Sequence, residues 1–206
     1  MPVDSAFRGR FLPVHIQPDW LAPDLADSLL AYAIDSQARF MPAAVLYDGN
    51  ARLDPTLRDA LKLTDLGPLA ETLKAKALAA KQQLVSDFGV PPFEAAGVEI
   101  ELAAHGHGAH FRRHIDTFVV VNRATSPRVL TLVFYLNRRP RAYAGGEIRL
   151  YALGSSETKD IQPEHNLLVA FPSIAPHSVE RVDCPNGVFA DRRFAINIWI
   201  HGRTSK

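Results

Sequence analysis

Two histidines and one aspartate are the residues best suited by type and spacing to carry out chemistry. His114 and Asp116 are separated by one residue, so a strand would place the imidazole and the carboxylate on the same face. His177 lies further along the chain in a second strand-like stretch. Two imidazoles and one carboxylate that leave coordination positions open form a facial triad, which suits non-haem Fe(II).

The His-x-Asp pair is weak support when taken alone. Chance supplies roughly one such pair in every two chains of this composition, and each histidine could be an ordinary half-buried residue. Arg193 strengthens the hypothesis because it begins a strongly apolar stretch soon after His177. A guanidinium there is costly to bury unless it meets an anion. A structural salt bridge or an exposed strand end would also explain Arg193.

The second half of the chain has the two-residue alternation expected of strands. Clusters of Gly, Pro, Asn and Ser separate the strand-like runs. The runs cover residues 98–104, 110–116, 129–136, 146–151, 167–171, 177–182 and 193–201. Short strands that follow two helices favour an antiparallel sandwich or barrel, mainly β, with helices packed on one face in an α+β arrangement.

The region before these strands is predicted to be mainly helical. Apolar residues recur at helical spacing over residues 22–36 and again over residues 68–88. Residues 11–17 could add a short edge strand. The periodicity changes near residue 92, and no flexible linker separates the two parts.

We therefore predict one domain over residues 1–206. A mainly helical N-terminal layer covers residues 1–92, and a β core with the catalytic residues covers residues 93–206.

The composition favours neither a nucleic acid nor a membrane as partner. Hydrophobic residues make up 47% of the 206 residues, and the formal net charge is +1 at pH 7. We identify no signal peptide, and no apolar run approaches the ~20 residues that span a bilayer. The single Cys184 excludes an internal disulfide framework. We expect a soluble, cytoplasmic protein.

Alternation along two of the strands predicts which side chains face the barrel interior. In the runs 129–136 and 193–201, one face is wholly apolar and could pack on the helices. The opposite face carries polar side chains, among them Thr131, Tyr135, Arg193, Asn197, Trp199 and His201. A barrel with such an interior is suited to hold a polar ligand.

Six segments, in order, resemble the Fe(II)- and 2-oxoglutarate-dependent dioxygenases, and most closely the branch of prolyl 4-hydroxylases and oxygen-sensing prolyl hydroxylases. The segments are 108–116, 130–137, 145–151, 167–173, 177–182 and 193–199. The resemblance implies a double-stranded β-helix, which is a cupin-like jelly-roll barrel, with helices packed on one sheet. It also implies Fe(II), 2-oxoglutarate and O₂ as cofactor and co-substrates, and ascorbate could serve as a reductant.

The resemblance assigns the metal site. His114, Asp116 and His177 match the iron ligands of the family. Chlorinating relatives replace the carboxylate ligand with a small residue that admits a halide. The presence of Asp116 therefore implies hydroxylation.

The resemblance also assigns a co-substrate site. Arg193 matches the residue that binds the distal carboxylate of 2-oxoglutarate, and Tyr135 matches a tyrosine that hydrogen-bonds the same carboxylate. Thr131 and Asn197 match flanking positions that often contribute to this site.

Two features depart from the pattern of the family. Many members have a tyrosine shortly before the first iron ligand, where this sequence has His105, which could replace it. The interval between His177 and Arg193 is longer than is common, and residues 183–191 would form a longer turn that leaves Arg193 able to bind the co-substrate.

The sequence leaves the substrate open. The resemblance implies a peptidyl prolyl residue, with release of succinate and CO₂, whereas a free amino acid or a small metabolite is the alternative. A cupin-like metal enzyme that does not use 2-oxoglutarate and a non-enzymatic binding module are the competing hypotheses. We interpret His105, His107 and His110 as residues that line the pocket rather than as a second metal site.

A group of arginines could attract an acidic peptide or an anionic small molecule. A solvated basic surface balanced by acidic residues elsewhere explains the same arginines slightly better. The group consists of Arg112, Arg113, Arg123, Arg128, Arg138, Arg139, Arg141 and Arg149.

Overall fold

The computed structural model describes residues 9–47, 50–117 and 126–203. Two long helices, α1 (Pro23–Asp35) and α2 (Leu69–Phe88), pack on one of two β-sheets. Within these ranges the strands are β1 (His15–Gln17), β2 (Met41–Pro42), β3 (Val45–Tyr47), β4 (Asn50–Arg52), β5 (Arg58–Asp59), β6 (Leu61–Leu63), β7 (Ala95–His105), β8 (His110–His114), β9 (Arg128–Leu136), β10 (Ala144–Gly145), β11 (Ile148–Tyr151), β12 (Thr158–Ile161), β13 (Leu168–Pro172), β14 (His177–Val179), β15 (Val182–Asp183) and β16 (Arg193–Gly202).

The strands form two main antiparallel sheets. The larger sheet has the order β1-β13-β9-β16-β7-β6-β2, and the smaller sheet has the order β12-β11-β14-β8-β5. The pairs β3-β4 and β10-β15 form separate small ribbons. Strands distant in sequence are neighbours, since β16 lies between β7 and β9. This topology is that of the predicted antiparallel barrel.

One apolar cluster joins the helices to the outer face of the larger sheet. Helix α2 contributes Leu73, Ala77, Leu84 and Phe88 to it. Strands β9 and β16 contribute the apolar faces that the alternation predicted, namely Leu130, Leu132, Phe134, Leu136, Phe194, Ile196, Ile198 and Ile200. This packing leaves the opposite faces of the two strands for the barrel interior.

A second cluster fills part of the space between the sheets. It combines Val133 and Tyr135 of β9 with Ile148 and Leu150 of β11 and with Phe171 of β13. The two sheets therefore enclose an interior that is apolar here and carries polar side chains elsewhere.

The helix boundaries follow from local signals. Pro23 occupies the first turn of α1, where a missing backbone N–H costs nothing. Helix α2 ends at Phe88 and is capped by Gly89, whose φ of 62° is the left-handed conformation that glycine adopts without strain. Within the described residues, no helix has the length and hydrophobicity needed to cross a membrane.

The first 92 residues contain more than the predicted helices. Strand β1 pairs with β13 as the expected edge strand, while β5 pairs with β8 and β6 pairs with β7. The segment therefore extends both sheets and is not purely a helical layer. Strands β2 to β6 have only two or three residues each, which is too short for a readable alternation. The division at residue 92 stays a prediction.

Candidate active site

The three predicted metal ligands lie together at the smaller sheet. His114 ends β8 and His177 begins β14, and the two residues are direct partners across these strands. Their candidate ligand atoms and those of Asp116 all lie within 4.8 Å of one another. Nε2 of His114 is 3.5 Å from Oδ1 of Asp116, and Nε2 of His177 is 3.7 Å from Oδ2. The arrangement can hold one metal ion.

Backbone carbonyls orient both imidazoles. Nδ1 of His114 donates to the carbonyl of Arg112 at 2.7 Å, and Nδ1 of His177 donates to the carbonyl of Ala175 at 2.9 Å. With the ring proton on Nδ1, the lone pair of Nε2 is available to a metal. Burial and the neighbouring His114 lower the pKa of His177 to about 4, against the opposing effect of Asp116. His177 is therefore neutral at neutral pH, as a ligand must be.

Two donors fix the carboxylate of Asp116. Thr131 Oγ1 and Trp199 Nε1 each donate to Oδ2 at 2.9 Å, which leaves Oδ1 as the oxygen better placed to bind a metal. Burial raises the pKa of Asp116, but the His177 and His114 imidazoles and the Trp199 hydrogen bond outweigh burial and hold the pKa well below its usual range. Asp116 is therefore ionised.

The two flanking residues that the resemblance suggested lie in different surroundings. Thr131 hydrogen-bonds Asp116, a predicted metal ligand, and is 2.9 Å from Ser173 Oγ. Asn197 is half-buried on the interior face of β16, opposite Glu101 of β7. A role for Thr131 or Asn197 in binding the co-substrate stays a prediction.

Phe111 is a site residue that the sequence did not reveal. The pairing of β14 with β8 shifts register between His177 and Val179, and this bulge brings Phe111 beside His114. Their rings stack with centroids 3.6 Å apart and an interplanar angle of 17°. Strict alternation would place these two residues on opposite faces, and we find no signal in the sequence for the bulge.

Arg193 is fully buried and is held by neutral groups. It is 1% exposed. Its Nε donates to the carbonyl of Gly146 at 2.7 Å, and its Nη1 lies 3.2 Å from Nδ1 of His105. A Cβ at Gly146 would come within 2.6 Å of the Arg193 side chain, and the φ of +73° at Gly146 also favours glycine. In the described ranges, no carboxylate forms an ion pair with Arg193.

Tyr135 packs against Arg193 and has a buried hydroxyl. The Cζ atom of Arg193 lies 4.9 Å from the centroid of the Tyr135 ring. The Tyr135 hydroxyl is buried and has no hydrogen-bond partner in the part of the chain that the structure describes. Burial raises the pKa of Tyr135 to about 12, so the hydroxyl remains a donor at neutral pH. A buried cation without a counterion in the described residues, packed on a tyrosine with a buried hydroxyl, is suited to bind a carboxylate.

The long turn and the three clustered histidines have separate surroundings. His107 is exposed and lies 3.2 Å from Asp183, whereas His110 lies 3.3 Å from the carbonyl of Thr56. Within residues 183–191, Phe189 packs into the core. The turn leaves Arg193 directly paired with His105 across β16 and β7.

Most of the predicted basic group is neutralised within the protein. Arg123 lies outside the described residues, and no described carboxylate forms an ion pair with Arg112 or Arg113. The others pair with carboxylates: Arg128 with Glu99, Arg138 with Asp191, Arg139 with Asp27, Arg141 with Glu164, and Arg149 with Asp160 and Glu180. These pairs favour the interpretation of a balanced, solvated surface.

The comparison with known families supports the chemistry of this site. Residues 100–201 match the family model of the 2OG-Fe(II) oxygenase superfamily. The chain carries a 2OG-Fe(II) oxygenase domain. The matched range contains His114, Asp116 and His177, which form a candidate iron site, together with Tyr135 and Arg193.

A curated relative aligns with most of this chain. The chain is 29% identical over 194 residues to the uncharacterized PKHD-type hydroxylase sll0191 of Synechocystis sp., an alignment that covers 88% of this chain and 61% of that protein. The chain therefore spans about three fifths of the length of the curated relative that it matches.

Solved structures with a similar fold include two prolyl hydroxylases. A prolyl-4-hydroxylase of Pseudomonas putida has a TM-score of 0.68 and 21% identity, with 97% of this chain and 95% of that chain covered. A prolyl hydroxylase of Trichoplax adhaerens, in complex with a peptide fragment of hypoxia inducible factor, has a TM-score of 0.70 and 20% identity, with 95% of this chain and 88% of that chain covered. These likenesses confirm the double-stranded β-helix fold.

Replacing Trp199 by Phe should weaken metal binding. The change removes one of the two donors to Asp116 Oδ2 and keeps most of the ring volume. Loss of a contact that orients a ligand typically costs 10–100-fold in metal affinity, so we expect a Kd for Mn(II) about 10-fold higher or more. Trp20→Phe is the matched control because Trp20 packs on Phe134. Equal Mn(II) affinities for Trp199→Phe and the unmodified protein would contradict this interpretation.

The metal-free protein should lose stability in mild acid. His177 has a pKa of about 4, and burial together with Arg193 lowers the pKa of His105 well below its usual value. An unfolded histidine binds its proton near pH 6.5. As the pH falls below about 6.5, the unfolded chain therefore binds more protons than the folded chain, and the free energy of unfolding decreases by up to about 1.4 kcal/mol per pH unit for each histidine.

Urea unfolding of the metal-free protein at pH 7.5, 6 and 5 measures this decrease. His105→Asn should make the pH dependence shallower, and His107→Asn, at an exposed histidine two residues further along the chain, is the control. A free energy of unfolding that stays constant over this pH range would show that the two buried histidines titrate normally.

Proposed function

We propose that the protein is an Fe(II)- and 2-oxoglutarate-dependent dioxygenase that hydroxylates an unactivated C–H bond. The observation that carries this proposal is the buried Arg193, which has no carboxylate partner among the described residues and lies over the ring of Tyr135, a residue with a buried hydroxyl. A metal triad alone would suit many enzymes, but a buried site for a carboxylate in the same barrel suits a dicarboxylate co-substrate. This combination favours an oxygenase over a cupin-like enzyme that ignores 2-oxoglutarate.

The residues of the chain have distinct roles in this proposal. His114, His177 and Asp116 would hold the iron, with Oδ1 as the aspartate ligand atom. Arg193 and Tyr135 would bind and orient the distal carboxylate of 2-oxoglutarate. Charge-assisted hydrogen bonds of this kind contribute about 1.5–3 kcal/mol each and fix the orientation of the bound molecule.

The overall reaction balances without a further reactant. Iron held by the three ligands would supply the O₂ chemistry, and in the overall reaction one oxygen atom enters the substrate C–H bond as hydroxyl while the other enters succinate as 2-oxoglutarate loses CO₂. The protein contributes position and exclusion of water, because the barrel buries Asp116, His177 and Arg193. Asp116 would supply the carboxylate ligand that chlorinating relatives lack, so hydroxylation is the expected outcome.

We infer that the substrate is a prolyl residue of a peptide. Ile115 lies between two metal ligands and is 37% exposed, and Ile174 is 57% exposed. Ser173 joins the two segments, since its carbonyl accepts the backbone N–H of Asp116 at 2.9 Å. We call these two exposed isoleucines, on segments that carry candidate metal ligands, the apolar rim, and they suit the apolar ring of proline and the neighbouring residues of a peptide. A free amino acid would leave much of this rim without contact.

The preference for an acidic partner rests on few residues. Arg112 is exposed beside the metal site, and no described carboxylate forms an ion pair with it. Arg113 lies over the ring of Tyr151 at 4.4 Å. We propose these two arginines as the positions that would favour acidic residues in a peptide. A cytoplasmic location and the use of ascorbate stay predictions.

Anaerobic addition of 2-oxoglutarate to the Fe(II)-loaded protein tests the proposed cofactors. We expect a weak visible charge-transfer band that saturates with 2-oxoglutarate. His177→Ala should abolish the band, and Arg193→Ala should raise the 2-oxoglutarate concentration at half saturation by about 10-fold or more, given the strength of charge-assisted bonds.

Arg139→Ala is the matched control, because Arg139 pairs with Asp27 on the surface. Stoichiometric iron binding without a band would reject 2-oxoglutarate as co-substrate and favour the cupin-like alternative. A protein that binds no iron would instead be a binding module.

Succinate release with prolyl peptides and with free L-proline tests the substrate class. Ile174→Asp should lower kcat/KM for an active peptide by about 10-fold, because it places a charge on the apolar rim, and should leave the affinity for 2-oxoglutarate unchanged. Ile16→Asp, on the edge strand β1, is the control. Turnover of free L-proline in preference to every prolyl peptide would reject the peptide assignment.

A further inference from the structure

The side chain of His105 lies within hydrogen-bond distance of the guanidinium of Arg193, with 3.2 Å between Nδ1 and Nη1. A second hydrogen bond of the guanidinium is with the backbone, since Nε of Arg193 donates to the carbonyl of Gly146. His105 ends β7, Arg193 begins β16, and the two are direct partners in the larger sheet. Directly opposite side chains on paired strands lie about 5 Å apart. The sheet therefore fixes the imidazole beside the guanidinium.

Chemistry determines the direction of this hydrogen bond. A guanidinium has only donors, so the Nδ1 atom of His105, 3.2 Å from Nη1 of Arg193, must accept. His105 is 3% exposed. Its burial and the positive charges of Arg193 and Arg58 lower its pKa well below the usual value, which agrees with a neutral acceptor.

A neutral acceptor has a specific advantage at this position. A carboxylate would form a buried ion pair with Arg193 and would compete with an incoming anion for the same charge. An apolar side chain would leave a buried N–H of Arg193 without a partner. An imidazole avoids both effects, because it holds the guanidinium and leaves its charge uncompensated.

We propose that His105 is a positioning residue, which holds Arg193 in the orientation that binds the distal carboxylate of 2-oxoglutarate and leaves the charge of Arg193 available to it. This inference rests on the proposed function. It assigns His105 an action through Arg193 and not a direct contact with the co-substrate.

Three substitutions of His105 test the hydrogen-bond acceptor and the neutral charge of this position separately. His105→Asn keeps a neutral acceptor close to the position of Nδ1. His105→Asp has nearly the same shape as the asparagine but adds a carboxylate, and His105→Leu removes the acceptor. His107→Asn, two residues further along the chain and exposed, is the control.

Calorimetric titration of the Mn(II)-loaded protein with 2-oxoglutarate measures the effect without turnover. We expect His105→Asn to bind within about threefold of the unmodified protein. His105→Asp and His105→Leu should bind at least about 10-fold more weakly, as expected when a hydrogen bond to a charged group is lost or its charge is neutralised. Pyruvate, which lacks the distal carboxylate, should bind equally to all the variants.

Repeating the His105 substitution in the Arg193→Ala variant tests whether His105 acts through Arg193. In Arg193→Ala, the further change His105→Leu should not weaken 2-oxoglutarate binding, because the two residues act as one unit. An additional loss would indicate a direct contact and contradict the inference. If the His105 variants lose pyruvate binding as well, the role of His105 is purely structural, and this result would also overturn the inference.

The outcomes also distinguish this inference from the proposed function. If the unmodified Mn(II)-loaded protein does not bind 2-oxoglutarate more tightly than pyruvate, the proposed function fails, and the inference fails with it. If it does, but His105→Asp and His105→Leu bind 2-oxoglutarate like the unmodified protein, the inference alone is wrong.

Discussion

The buried, uncompensated charge of Arg193 is the constraint on which the proposed site depends. Such a charge normally requires a carboxylate from the protein, yet its contacts in the described residues are a backbone carbonyl, an imidazole and an aromatic ring. Apolar packing on the outer face of β16 keeps the strand in place despite this cost. In the proposed function an anion from outside the protein completes the interaction, and this proposal connects the fold to a dicarboxylate co-substrate.

A single strand links this charge to the metal site. Arg193 and Trp199 point to the same face of β16, and Trp199 hydrogen-bonds Asp116. The smaller sheet supplies His114 and His177 from paired strands. The separation between the metal ligands and the carboxylate site is therefore fixed by regular hydrogen-bonded structure, which suits a reaction that depends on positioning.

Alternation in long strands made much of this arrangement predictable from the sequence. The apolar outer faces of β9 and β16, the helices and the edge strand β1 were predicted and are observed. The bulge that stacks Phe111 on His114 was not predicted, because it depends on the pairing of distant strands. The hydrogen bond from Thr131 to Asp116 was also missed, since alternation gives the face of a residue but not its partner. The short N-terminal strands gave no periodic signal.

A crystal structure of the Mn(II)-loaded protein with 2-oxoglutarate would test the central claim most directly. Our account predicts the distal carboxylate of 2-oxoglutarate within hydrogen-bond distance of both the Arg193 guanidinium and the Tyr135 hydroxyl, with the metal on Nε2 of His114, Nε2 of His177 and Oδ1 of Asp116. A structure in which the distal carboxylate lies away from Arg193, or in which a protein carboxylate pairs with Arg193, would contradict it.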